Sequence, residues 1–536
     1  MTSVAFGQDP APTANSGTNL TAGQKLYAVH CAGCHGTAGD GKGVATLFLY
    51  PKPRDFRRGK FRLVSTIKGA PTREDLNAVM LRGMPGSSMP SWGHLPQKDR
   101  DLILDEVVRL YREGAADRYI ANLKDQEQLT DEEIKADDVQ EEIKEFVQRQ
   151  TTPEEIAEVP ELPKGDAAAV SRGKELYVKQ SCHSCHGNEG KGDGAAKMID
   201  DEGFATRPRD LTRGIYKGGD DLASLYRRIY YGMPGTPMPA SKNLTPEQTA
   251  DMIHFLRSLS TEETRERSIL KREKIVAKKV AALPADSDPT AWQAAAPVEI
   301  RLMPLWWRDD AIFSLKVQAV HDGRDIALRL EWEDSTADTH AGKTEAFKDA
   351  AAMELVAGGD ELFLGMGGTS TPVDLWMWDA DRGQKGGDLE EVNPRIVVDQ
   401  YPFSEASVET AEFARQGTKT SQQPDVSLPA KAAGNQVVRS APYPTGGSSL
   451  SAAGPGSTTF RFVKSQLVVA SARYSKGRWT VLLRRTLDAG AAENGIRLAP
   501  GQTASVAFAV WDGAHRDRNG QKQVSIWQDL VLEAPR

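Results

Sequence analysis

Cysteine is scarce in this chain of 536 residues: there are four, all inside two short motifs, so none is left for a disulfide. Long apolar runs are also missing, so no bilayer-spanning helix is expected and the chain as given reads as soluble. Charge of either sign is not in large excess; a net −7 argues against a general nucleic-acid binder. There is no Ser/His/Asp set, phosphate loop or dinucleotide fingerprint, which leaves hydrolytic, nucleotide and hydride chemistry without residues to carry them. Residues 1–17 contain no basic residue and no long apolar stretch, so an intact secretory signal is not expected there. The length suits three or four folded units.

The cysteines occur as Cys31-Ala32-Gly33-Cys34-His35 and again as Cys182-His183-Ser184-Cys185-His186. Two thiols three positions apart, followed at once by an imidazole, suit covalent haem: each sulfur can form a thioether to a vinyl group, and the histidine can reach the iron. A closed zinc site wants four ligands with a second pair close by, and a redox dithiol needs no following histidine. Two c-type haems are therefore expected, held by Cys31, Cys34, Cys182 and Cys185, with His35 and His186 as iron ligands. Attachment of that kind belongs outside the bacterial cytoplasm, so a periplasmic location is expected from the haem chemistry alone.

The surroundings of the motifs repeat as well. Leu26-Tyr27 precedes the first and Leu176-Tyr177 the second, each on an expected helix, and a Gly-rich loop follows each motif. Gly83-Met84-Pro85-Gly86-Ser87-Ser88-Met89-Pro90 matches Gly232-Met233-Pro234-Gly235-Thr236-Pro237-Met238-Pro239, and Pro53-Arg54-Asp55 matches Pro208-Arg209-Asp210. Repetition at three landmarks indicates duplication of one fold. A thioether on a Pro-rich loop is a soft, neutral sixth ligand, and Met-Pro after a flexible turn resembles the ligand loop of class I cytochromes c. Met89 and Met238 are thus the expected distal ligands, with Met84, and Met233 by the same repeat, as alternatives that would otherwise pack against the macrocycle. Arg54 and Arg209 either clamp haem propionates or pair with the neighbouring aspartate to fix a turn.

The expected organisation is two all-α class I cytochrome c domains, 17–113 and 167–260, followed by a mostly antiparallel β-sandwich over 286–536. Between the first two, residues 114–166 form an acidic linker of solvated helix and extended chain; from 125 to 161 there are fourteen acids against three bases. Residues 261–285, dense in Arg, Lys and Glu, suggest a charged helical connector. In the last region, residues 314–320 and 325–332 alternate apolar and polar side chains around a tight turn, residues 466–474 and 478–484 do the same, and 504–511 supplies another strand. Residues 415–457, rich in Gly, Ser, Pro and Ala, read as a long irregular insertion.

The blocks Phe363-Leu364-Gly365-Met366-Gly367-Gly368, Pro372-Val373-Asp374-Leu375-Trp376-Met377-Trp378, Ala507-Phe508-Ala509-Val510-Trp511-Asp512-Gly513 and Arg518-Asn519-Gly520-Gln521-Lys522 resemble the haem-binding domain of ethylbenzene dehydrogenase gamma subunits. That family includes the small subunits of dimethylsulfide dehydrogenase and of chlorate and selenate reductases. The resemblance implies one haem b in a β-sandwich, with Met366 and Lys522 as its axial ligands, and docking on the iron-sulfur and molybdopterin subunits of a molybdenum oxidoreductase. His321, His340 and His515 are the reserve ligands. Fusion to two cytochrome c units departs from the family's pattern.

Six-coordinate iron with His/Met or Met/Lys ligands has no open position, which favours electron transfer over substrate chemistry. The expected function is a three-haem electron-transfer subunit and not an enzyme in itself, exchanging electrons with another cytochrome. Two alternatives are a diheme cytochrome c whose sandwich is haem-free and binds a carbohydrate-type ligand, and a haem peroxidase.

Overall fold

The computed structural model describes residues 20–339, 346–357, 366–368, 372–380, 446–461, 465–489 and 495–534. Residues 1–17, His340, Phe363-Leu364-Gly365 and most of the 415–457 insertion lie outside them. The described residues form two compact units, one of residues 20–272 with Met303–Asp310, the other of the remainder.

Within the first unit the two cytochrome regions are built alike. Thr21 caps the helix Ala22–His30, and Asp166 caps Ala167–Lys179, each side chain accepting an orphan backbone N–H. Each helix crosses a later one, Gln97–Gln126 in the first region and Pro246–Ser258 in the second. The crossings are close enough to demand glycine: a Cβ at Gly23 would lie 2.6 Å from the Leu102 carbonyl oxygen, and one at Gly173 only 2.1 Å from that of Asp251. Buried Tyr27 and Tyr177 then donate their hydroxyls to the carbonyls of Gly36 and Gly187, at 2.9 and 2.6 Å, tying each first helix to the loop after its motif. A pair of two-residue strands, Met198–Ile199 with Ala205–Thr206, is the β element of the second region.

The helix Gln97–Gln126 does not stop where the first cytochrome region was expected to end. Ile103, Val107, Leu110, Ala115 and Leu123 keep an apolar face along it, and no proline interrupts. Leu123 packs with Ile134 and Ile143, so the acidic stretch returns as a second helix, Asp137–Thr151, leaning on the first. Its acids face solvent.

The connector is a correction. After a short helix, Glu262–Arg267, the chain forms the strand Lys274–Lys279, in which Ile275 and Ala277 are buried while Lys274, Val276 and Lys278 alternate with them. Period two outweighs the helix propensity of the charged residues once a sheet is there to take the apolar face. This strand lies between Gln528–Leu532 and Ser314–His321 and runs parallel to both.

The main strand path runs from Thr459–Phe460 through Ser448–Ala452, Val373–Asp379, Ala350–Ala357, Thr503–Trp511, Gln528–Leu532 and Lys274–Lys279. It continues through Ser314–His321, Asp325–Glu333 and Arg478–Thr486 to Val469–Tyr474. Both expected hairpins are present and antiparallel. The path is one continuous sheet where two separate sheets were expected. Its two ends share one buried cluster: Leu328, Leu330, Val481 and Leu483 with Met353, Trp376, Val506 and Phe508. Trp378 and Trp479 meet at 4.9 Å across this core, and Asp374 accepts both Arg461, at 2.8 Å, and Arg485 deep inside it. Among the described residues no helix is long and apolar enough to cross a membrane.

Candidate functional site

Cys31 closes the first helix, its N–H donating to the Tyr27 carbonyl at 2.8 Å, and the chain turns at once into the short helix Ala32–His35. Gly36, at φ 78°, ends that helix in a conformation that favours glycine. Both thiols and the imidazole are thereby presented within little more than one turn. Burial pushes the Cys31 and Cys34 thiols up to about 12, so neither is a ready thiolate. Burial also lowers the His35 pKa, keeping the ring neutral as a ligand must be. His35 Nδ1 lies 2.9 Å from the Arg54 carbonyl, which can only accept; Nδ1 carries the proton, and Nε2 keeps its lone pair.

The second motif repeats this with one change. Cys182 leads into the helix His183–His186, closed by Gly187 at φ 78°, and burial pulls His186 down to about 4. Its Nδ1, however, is buried without a hydrogen-bond partner. Two cysteines and one neutral imidazole on a tight turn, present twice, fit covalent haem; such a group supplies one-electron redox chemistry when bound.

The methionine loops also share a geometry. The Met84 N–H donates to the Met89 carbonyl at 3.0 Å and the Ser87 N–H to the Met84 carbonyl at 3.0 Å; Met233, Met238 and Thr236 repeat the pattern at 3.3 and 3.2 Å. Met238 and Cys182 pack against the same buried cluster.

Neither Arg54 nor Arg209 pairs with the aspartate beside it. Asp55 instead accepts the Arg57 N–H at 2.9 Å, and Asp210 the Thr212 N–H at 2.9 Å, so the aspartates fix the turns on their own. The arginines cross over. Arg54 reaches Glu202 of the second cytochrome region at 3.0 Å, and Arg209 donates to the Gly86 carbonyl in the first region's methionine loop at 2.8 Å while stacking on Trp307 at 4.6 Å. Both line a pocket with Arg62, Lys217, Asp200 and Glu202. Burial, and then Arg209, Arg62 and Arg54, pull Lys217 down to about 7, which marks the pocket as one short of negative charge. Lys217 carries no sequence signal.

In the sheet unit, Met366 Sδ and Lys522 Nζ lie 3.9 Å apart. A thioether and a neutral amine brought this close are two donors that would hold one iron and supply one-electron redox chemistry there. Lys522 is enclosed, with its nitrogen 4.9 Å from the centre of the Trp511 ring. Burial lowers its pKa, as a neutral amine ligand requires, against an opposing pull from Glu354. Glu354, buried on the strand Ala350–Ala357, is raised to about 7 by burial, and its Oε2 has no hydrogen-bond partner. Sequence reasoning missed it, since one glutamate in an apolar run marks nothing by itself. The donor pair fits a b-type haem iron. The reserve histidines are otherwise engaged: His515 Nδ1 is 2.6 Å from Asp512, and His321 Nε2 is 3.0 Å from the Glu533 carbonyl.

Residues 289–523 match the family model described as ethylbenzene dehydrogenase, residues 170–260 that of cytochrome c, and residues 18–105 that of subunit III of cbb3-type cytochrome c oxidase. A protein of Haloferax mediterranei, assigned as a respiratory nitrate reductase haem subunit, is 29% identical over 220 residues, which span 41% of this chain and 56% of that relative. The gamma subunit of chlorate reductase from Ideonella dechloratans is 26% identical over 253 residues, 46% of this chain and 78% of its own. A solved chain of a reducing HAO-like protein complex from Kuenenia stuttgartiensis is 28% identical, with a TM-score of 0.36, and covers 45% of this chain and 97% of that one.

Proposed function

We propose that this chain, in which two cytochrome c regions precede an ethylbenzene dehydrogenase-type region, is the three-haem electron-transfer subunit of an extracytoplasmic molybdenum oxidoreductase. Cys31, Cys34 and His35 hold one c haem, Cys182, Cys185 and His186 the other, with Met89 and Met238 as sixth ligands. Met366 and Lys522 hold the b haem. The observation that carries the reading is the Met366–Lys522 pair, two donors of different chemistry brought to 3.9 Å across 156 residues of chain. The finer architecture belongs to it as well: two class I cytochrome domains and a sandwich, with the chain working in the periplasm.

Every iron saturated by protein donors makes a conductor and not a catalyst. The role of this chain's residues is then to bind and orient: burial keeps His35 and His186 neutral, and Arg54 and Arg209 offer guanidinium groups to propionates in the pocket between the cytochrome regions. The relatives' names support a place in a reductase complex; the partners in this reading are iron-sulfur and molybdopterin subunits on one side and another cytochrome on the other. The test is an alkaline pyridine haemochrome of the fully loaded protein, expected to show two c for each b, with co-purification from the native source and molybdenum analysis of what comes with it. A spectrum of c haem alone would remove the b site and with it the proposed docking.

A further inference from the structure

Three aspartates at strand ends of the sheet unit converge on one another. Asp334 follows Asp325–Glu333, Asp349 precedes Ala350–Ala357, and Asp512 follows Thr503–Trp511. One carboxylate oxygen from each lies within 4.8 Å of the other two, and the residues are 6%, 0% and 5% exposed. Among the described residues no lysine or arginine forms an ion pair with Asp334 or Asp349. His515 Nδ1 lies 2.6 Å from Asp512, and Asp338 adds a further acid beside Asp349.

Asp349 accepts the N–H groups of Gly513 at 2.8 Å and Asp338 at 2.7 Å and the Trp479 indole at 2.9 Å, which fixes its orientation. Asp334 accepts the Thr336 N–H, at 3.1 Å on Oδ1, with the Trp332 indole as a second donor beside it, and its Oδ2 is buried with no hydrogen bond of its own within normal reach. An unpaired, enclosed carboxylate oxygen turned into a group of carboxylates is expensive unless something positive sits there. Burial, followed by the charge of Asp349, raises Asp334 to about 7, and burial raises Asp349 to about 6. Both shifts come first from burial, which crowds these carboxyls together away from water.

We propose that Asp334, Asp349 and Asp512 bind one Ca2+ ion. The donors are all oxygen, as a hard cation wants, and oxygens this far apart can all reach one ion through bonds of roughly 2.3–2.6 Å. Magnesium, with shorter bonds and a stricter octahedron, suits them less. The ion fastens three strand ends that the chain supplies from distant positions. It also anchors the start of the loop that leaves at Asp512 and returns to the sheet at Lys522.

The test uses the full, haem-loaded chain washed with EGTA. Titration with Ca2+ by calorimetry should give one equivalent bound and a higher melting temperature at 1 mM Ca2+. Asp334→Asn keeps the Thr336 contact and so should fold with unchanged haem content, yet bind Ca2+ at least tenfold more weakly and lose the melting shift. Asp512→Asn should do the same. The inference is overturned by a parent protein that gains neither heat nor melting temperature from Ca2+, by an Asp334→Asn variant that binds like the parent, or by a stronger response to Mg2+ than to Ca2+. Carboxyls that merely share protons would give the first of these results.

Discussion

The cytochrome regions and the sheet gather their donors in opposite ways. Each cytochrome motif places two sulfurs and an imidazole within five residues, and a helix cap, one glycine and one tyrosine hydroxyl suffice to hold them. The sheet must bring Met366 to Lys522 across 156 residues, and nothing local could do it. A local site forms once its turn forms; an assembled site exists only when the whole layer is folded. The first kind should therefore survive damage elsewhere, and the second should not.

The sharpest break is Lys522→Ala. It should abolish the non-covalent haem while both c haems remain, as read in a pyridine haemochrome; loss of c haem alongside would show that the regions are not independent. Next is Asp374→Ala, which strips Arg461 and Arg485 of the carboxylate they share in the core. Urea unfolding should show the sheet weakened by roughly 3–5 kcal/mol, with the cytochrome transition unmoved. Smaller, and confined to the other region, is Gly173→Ala: a new Cβ 2.1 Å from a carbonyl should cost roughly 1–3 kcal/mol, and Gly23→Ala, at 2.6 Å, less. Thermal melts of the two variants rank them.

The smallest effect separates the two c sites. His35 donates from Nδ1 to the Arg54 carbonyl, whereas His186 Nδ1 has no partner, so His35 is the more electron-rich ligand and its haem should have the lower midpoint potential. Redox titration of Cys31→Ala/Cys34→Ala and Cys182→Ala/Cys185→Ala proteins assigns the two waves; equal or inverted potentials would remove the argument.

Legibility followed the same division. The five-residue motifs, the methionine loops and the hairpins at 314–333 and 469–486 could be read because each is written in neighbouring residues. Met366 and Lys522 were reached only through resemblance, since no spacing connects them. Glu354, Lys217 and the Asp334, Asp349, Asp512 group were invisible because burial and convergence are tertiary facts. The strand Lys274–Lys279 was misread as helix because two buried residues set among three lysines are a weak alternation, outvoted until neighbouring strands pair with it. The crossing of Arg54 and Arg209 between the copies could not be seen within either copy.

The placement of Lys274–Lys279 has a practical side. A fragment begun at the expected boundary, residue 286, would pull a thread from the middle of the fabric, leaving residues 319–321 and Gln528–Leu532 with unpaired edges of the kind that invite aggregation. The segment leading out of the cytochromes is thus a warp yarn of the cloth it seems only to be tied to, and anyone dividing this protein must cut before residue 273.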